Sequence, residues 1–155
     1  MSKSKVVADQ IAALPVRWEK SGKLRVLMVT SRDSGRWVMP KGWQMDGKKP
    51  WRAAEIEALE EAGAIGYISK IPVGRYHYDK RLDDGMNLRC RVTLYPMVVE
   101  KLANRWKERN ERKRHWFSPK KAAKLVEENE LSKLLRDIAE ECKTIAVIED
   151  MRKSA

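Results

Sequence analysis

An α/β domain is what the amino-acid sequence calls for, and three observations support it. The chain has 155 residues, enough for one well-filled core and too few for two ordinary domains. Short runs dense in apolar and β-branched residues, such as LRVLMVT, have the character of strands. Longer helix-forming stretches, WRAAEIEALEEAG and the carboxy-terminal part from SPKKAAKLV onward, bring their own start and stop signals.

Taken in order, VVADQIAALPVRW and LRVLMVT, with SGK between them, read as two strands joined by a tight turn. This is an antiparallel start. WVMP is a short strand that ends near Pro40, because proline removes a ladder donor and restricts the residue before it. Gly42 to Gly47 then reads as a loop. Pro50 suits the first turn of a helix that runs to Gly63, a natural residue for the left-handed stop. RYHYDKRLDDGMNLRCRVTLYPMVVEKL alternates, and its DDG marks a hairpin between two strands. RKRHWF is a short strand. Ser118 and Pro119 open a short helix, a break falls near Glu128 and Asn129, and a longer helix comes after it. Its Leu131, Leu134, Leu135 and Ile138 recur at helical spacing and predict a cover over the sheet. The closing RKSA is expected to fray.

Composition narrows the partners. Lys and Arg number 33 against 22 Asp and Glu, a formal net charge of +11 and a pI near 9.8, which favours polyphosphates, nucleic acid or acidic membranes without choosing among them. Cys90 and Cys142 have no metal-ligand spacing and are too few for a disulfide framework, so both read as reduced fillers. The amino terminus has no continuous apolar segment of the signal-peptide kind, and no apolar run approaches the roughly 20 residues that span a bilayer. The expectation is a cytoplasmic, soluble single domain over residues 1–155 with no membrane partner.

Against this basic background the stretch from Pro40 to Gly66 is acidic. On the helix, Trp51, Ala54, Ala58 and Ala62 are expected on one side and Glu57, Glu60 and Glu61 on the opposite arc. Three carboxylates at these spacings repel by a few tenths of a kcal/mol per pair, and something should offset that. A solvated face is the ordinary meaning of a charge run. Clustered hard oxygens also suit Mg²⁺ or Mn²⁺, which bind a few carboxylates, keep waters and reach substrate phosphates.

Gly42, Glu57, Ala58, Glu60, Glu61, Gly63 and Ala64 stand in register with Gx5Ex7REUxEExGU, and the segment 42–64 resembles the box of the Nudix family. Two fixed positions depart from it: Lys48 replaces the first glutamate and Ile56 the arginine. An arginine four residues before Glu60 can hold that glutamate, and isoleucine cannot. SRDSGRWVMPKG and RKRHWF further resemble the diphosphoinositol polyphosphate phosphohydrolase branch. The resemblance implies an α/β/α sandwich around a mixed β-sheet. It also implies Mg²⁺- or Mn²⁺-dependent hydrolysis of phosphoanhydrides in diphosphoinositol polyphosphates, dinucleoside polyphosphates or related polyphosphates.

On that basis Glu57, Glu60 and Glu61 are the expected catalytic and metal-binding residues, Gly42 adds a backbone carbonyl to the metal, and the general base stays open among the glutamates. Substrate phosphates are expected on Arg17, Ser31, Arg32, Lys41, Arg112 and Arg114, with Arg89 and Arg91 on one face of the hairpin's second strand. Asp79, Asp83, Asp84 and Glu100 are unranked candidates for a further carboxylate. His77 and His115 read as structural, while Trp43 and Trp106 flank loops that could line a pocket. Two alternatives stand beside the leading one: removal of pyrophosphate from RNA 5′ ends, and a non-catalytic module that binds polyphosphate or nucleic acid, to which the changes at Lys48 and Ile56 would be suited. Oligomeric state has no signal in the sequence.

Overall fold

In the computed structural model, which describes residues 7–140 and 146–154, the first two apolar runs form the expected hairpin. Strands β1 (Ala8–Trp18) and β2 (Leu24–Thr30) pair antiparallel, with Val16 opposite Val26. Only the last part of β1 is occupied by β2. The side of β1 left open nearer its start is taken by β4 (Lys41–Trp43), which comes after β3 (Trp37–Val38) and sets Gly42 opposite Ile11. The loop expected from Gly42 therefore starts later, because Gly42 and Trp43 complete a ladder on β1.

Helix α1 (Pro50–Ala62) ends on Gly63, and a strand that the sequence pattern does not announce, β5 (Ala64–Ile68), begins at the next residue. β6 (Gly74–Arg81) and β7 (Asn87–Leu102) form the expected hairpin. At 16 residues β7 is long enough to serve two neighbours on one side, β6 along its first half and β5 along its second. Its other side runs parallel to β1, from Ala8 opposite Cys90 to Val16 opposite Val98. A mixed sheet results, and β8 (Arg114–Phe117) completes it against β2.

Alternation along β1 divides the core. Ala12, Leu14 and Val16 face a cluster built with α2 (Pro119–Leu125), α3 (Asn129–Glu140) and α4 (Ala146–Ser154), while Ile11 and Ala13 face the alanines of α1. Helices thus cover both faces, the expected α/β/α sandwich. Ser118 caps α2 by accepting from the Lys121 amide, and Leu131, Leu135 and Ile138 bury the apolar face of α3. Arg152 and Lys153 lie within α4 instead of fraying, with the Arg152 guanidinium 5.7 Å from the Trp18 ring. Cys90 is buried and unpaired among the described residues, whereas Cys142 lies outside them. No described helix is long and apolar enough to cross a membrane.

Candidate active site on helix α1

Helix α1 starts with Pro50 in its first turn and stops on Gly63, whose φ of 66° places it in the left-handed region that glycine adopts without strain. Ala53, Ala54, Ala58 and Ala62 are small and buried, which lets the helix lie close on the sheet. The carboxylates are not on the arc opposite these alanines. Glu61 is seven residues from Ala54, almost two full turns, so it points inward and is only 3% exposed. Glu57 is half-buried beside it. Glu60 is the outermost, its side chain 31% exposed and 3.3 Å from the Lys107 Nζ.

Glu57 and Glu61 stand side by side, and the titration of each is tied to the other. Burial, followed by this pairing, pushes the Glu61 carboxyl up to about 9. Burial also raises Glu57, and neighbouring Glu60 and Glu108 push the same way. Two adjacent carboxyls in this state share protons unless a cation replaces them. β4 brings Gly42 directly beneath: a Cβ at this glycine would stand 2.5 Å from the Glu57 carboxyl carbon. Lys41, next along β4, has its ammonium pushed down to about 8 by burial, against the pull of Glu61 and Glu128. Its Nζ lies 5.0 Å from the Tyr78 ring centroid.

The segment between β7 and β8 is fastened to the end of α1. The Glu108 amide donates to the Glu60 carbonyl at 3.0 Å, the Trp106 indole to that of Glu61 at 3.0 Å, Arg114 to that of Ala62 at 2.9 Å and the Ala103 amide to that of Gly63 at 2.8 Å. Four successive carbonyls at the helix end are thereby satisfied. This segment also carries Arg112, whose side chain is 9% exposed. Its Nε donates to Glu108 at 2.8 Å, one terminal nitrogen donates to the Thr30 carbonyl at 3.0 Å, and the other lies 3.7 Å from Glu61.

These contacts change the reading of several expected phosphate ligands. Arg112 precedes β8 instead of lying on it, and its donors face carboxylates and a carbonyl. Arg114 donates to Ala62 and Ala103 and stacks 3.8 Å from the Trp106 ring. It ties down the helix end. Trp106 does the same through its indole. Arg89 and Arg91 pair with Asp79 at 3.3 Å and Asp9 at 2.9 Å. Ser31 and the exposed Arg32 come after β2 at the site's margin, and Arg32 reaches Glu111 at 3.4 Å and Glu108 at 3.9 Å. Arg17 lies with its guanidinium 4.2 Å from the Trp116 ring.

Among the candidate carboxylates, Asp79 is engaged by Arg89, Asp84 accepts from the Met86 amide in the hairpin turn, and Asp83 and Glu100 are exposed. Glu108 is the one brought to the stripe. Its only sequence signal is an acid inside the basic run WKERNERKR. Glu128, buried and 2.9 Å from an Arg36 terminal nitrogen, likewise has no signal in the sequence. His77 bonds Glu130 at 2.9 Å and His115 packs 4.7 Å from the Phe117 ring. Lys48 and Trp43 are exposed.

The described residues do not hold three His, Cys, Asp or Glu side chains gathered as a ready-made metal cage. The donor set nevertheless fits a hard divalent ion of the magnesium kind, which takes one or two carboxylates and fills its other positions from water and phosphate. Glu57 and Glu61, their carboxyls raised by burial and seated over a glycine that leaves them room, would hold it, with Glu108 and Glu60 at hand.

A carboxylate-lined helix beside a mixed sheet in an α/β/α sandwich defines the class. The model of the NUDIX domain matches residues 9–138, and the chain belongs to that family. Nudix hydrolase 12, mitochondrial, of Arabidopsis thaliana is 30% identical over 134 residues, covering 84% of this chain and 63% of its own length. Diphosphoinositol polyphosphate phosphohydrolase 3-beta of Bos taurus is 27% identical over 118 residues, covering 75% of this chain and 67% of its own length. The chain spans less than two thirds of the length of the Arabidopsis relative. A crystal structure of a C. elegans Ap4A hydrolase binary complex matches 86% of this chain and 96% of its own with a TM-score of 0.66 at 22% identity, a likeness of fold.

Proposed function

We propose that the chain is a divalent-metal-dependent hydrolase of phosphoanhydrides in densely phosphorylated small molecules. The observation that carries this reading is the Glu57–Glu61 pair, packed over Gly42 with both carboxyls raised by burial, inside a chain of net charge +11. A bound Mg²⁺ or Mn²⁺ supplies electrophilic polarisation of the phosphoryl oxygens and a more acidic water. Glu57 and Glu61 hold it, with Glu108 as the carboxylate from outside the box and the Gly42 carbonyl beside them. Glu60, the outermost and partly solvated carboxylate, accepts the proton of the attacking water. Arg32, Arg17 and Lys41 take the phosphate oxygens, since their cations are not spent on backbone carbonyls. The names of the relatives, diphosphoinositol polyphosphate phosphohydrolase and Ap4A hydrolase, support substrates with several linked phosphates.

Product analysis with diadenosine hexaphosphate, an inositol pyrophosphate and 5′-triphosphorylated RNA, each with and without Mg²⁺, tests the class and ranks the substrates. Glu57→Gln and Glu61→Gln are each expected to lower turnover roughly a hundredfold or more. Undiminished Mg²⁺-dependent turnover in both would remove these residues from the site. A second reading, a module that binds such ligands without cleaving them, is favoured by Ile56 and Lys48 at two fixed box positions. Tight ligand binding with no turnover on any of the three would establish it.

A further inference from the structure

We infer that Arg112 is a positioning residue: delivered from the segment between β7 and β8, it fixes Glu61 and Glu108 in the arrangement that binds the metal, a task that no cation on α1 performs. The inference rests on the hydrolase reading above and assigns this arginine to the protein's own carboxylates instead of to substrate.

The stripe needs such a residue. Glu57, Glu60 and Glu61 lie within a turn of one another, and the position on the helix from which an arginine could reach Glu60 holds Ile56. The only cation within α1 is Arg52, whose guanidinium is 2.6 Å from Glu55, away from the stripe. Counter-charge comes from other parts of the chain: Lys41 on β4 attracts Glu61 as a point charge, and two more cations arrive from the segment before β8. Lys107 stands 3.3 Å from Glu60, and Arg112 stands 3.7 Å from Glu61 and 2.8 Å from Glu108.

The two cations differ in what they can fix. Lys107 is 69% exposed, a point charge on a mobile stem that solvent screens. Arg112 is 9% exposed and uses three nitrogens on three different partners: the carboxylate of Glu108, the carbonyl of Thr30 at the end of β2, and Glu61 on α1. A planar fork held at two points can place the third within a narrow range, which an ammonium cannot do. The base of the fork is itself fixed. Hydrogen bonds from Ala103, Trp106, Glu108 and Arg114 to the four carbonyls from Glu60 to Gly63 bind this segment to the helix that carries the glutamates. Arg112 is therefore tied to α1 through the segment that carries it, and the orienting contact is made by tertiary structure.

Electrostatics and positioning make opposite predictions, which makes the proposal testable. A cation beside metal ligands repels the metal, so removing a mere charge tightens metal binding. Removing a positioning group weakens it, typically by ten- to a hundredfold for groups that orient ligands. Mn²⁺ affinity of the whole chain would be measured by calorimetry for wild type, Arg112→Gln, Arg112→Lys and the control Lys107→Gln, alongside kcat and KM on diadenosine hexaphosphate and a thermal melt of each.

Arg112→Gln and Arg112→Lys are both expected to weaken Mn²⁺ roughly tenfold and to lower kcat at nearly unchanged KM, with Lys107→Gln close to wild type. Should Arg112→Gln prove unfolded, Arg112→Lys alone decides, because it keeps the charge and loses only the fork. Unchanged or tighter Mn²⁺ binding in Arg112→Lys overturns the proposal. So does a raised KM at preserved kcat, the pattern of a phosphate ligand. A wild-type chain that binds no Mn²⁺ overturns the hydrolase reading itself, a result distinct from a wild type that binds and variants that bind equally well.

Discussion

Glu61 shows how one side chain acquires its properties. Its position along α1 turns it toward the sheet, burial makes its charge costly, and Glu57 beside it raises that cost. Linkage gives the sign. With the carboxyl at about 9 in the folded chain against an ordinary 4.5, the metal-free fold holds more protons than the unfolded chain across that window, so its stability falls as pH rises from 4.5 toward 9. Glu57, also raised, adds to the fall. Lys41 acts oppositely but later: with its ammonium at about 8 against 10.5, the folded chain regains stability as pH rises between those values. The thermal midpoint of metal-free protein should drop between about pH 5 and pH 8, and Glu61→Gln should flatten that slope. Parallel slopes in the two proteins would show that Glu61 is not the group responsible. Gly42 bears on the same site. In Gly42→Ala the new methyl meets the end of the Glu57 side chain, which can swing aside, so the melt should barely move while Mg²⁺-dependent turnover falls about tenfold or more.

Elements show where local preference and long-range pairing part company. The opening hairpin, α1 and its Gly63 stop, the DDG hairpin and the Ser118 cap can be read directly, because each is decided by a few neighbouring residues. β5 cannot. Its five residues come after the helix with only Gly63 between, and they form a strand because the second half of β7 offers an open edge. That pairing carries an irregularity: Ile65 lies opposite Lys101 and Gly66 opposite Val99, leaving Glu100 over. Gly66 is required there, since a Cβ would stand 1.9 Å from the Val98 carbonyl oxygen, a backbone atom without freedom to retreat. Gly66→Ala should therefore destabilise the fold by about 2 kcal/mol or more, measured by denaturant titration. A cost below about 0.5 kcal/mol would mean that the bulge relaxes.

At the scale of the whole molecule, the charge of +11 and the acidic helix have opposite duties. On the proposed function, summed positive potential draws the polyanionic substrate in, and it is screened over about 10 Å at 0.1 M salt. The effect belongs to association, so raising the salt from about 50 to about 300 mM should lower kcat/KM for diadenosine hexaphosphate several-fold while kcat changes little. An equal fall in both would place the salt effect on the chemical step. The same scale explains the partners of two arginines. By resemblance to the related branch Arg112 and Arg114 are expected as phosphate ligands, and the sequence does not show what else their donors meet. Folding brings them partners from afar: the Thr30 carbonyl, 82 residues from Arg112, and the Ala62 carbonyl, 52 residues from Arg114.

Periodicity, turn chemistry and composition are local properties, and they suffice for the α/β class, the helix with its stop and the basic surround, while the register of the box rests on resemblance to a family. Packing in three dimensions settled the rest: which glutamate is buried, that Glu108 joins the stripe, and that Arg112, not a residue at position 56, supplies the stripe with a buried cation. The physical reason is burial. A carboxylate's charge state and an arginine's free donors depend on what packs around them, and at this site the packing comes from β2, β4 and the segment before β8.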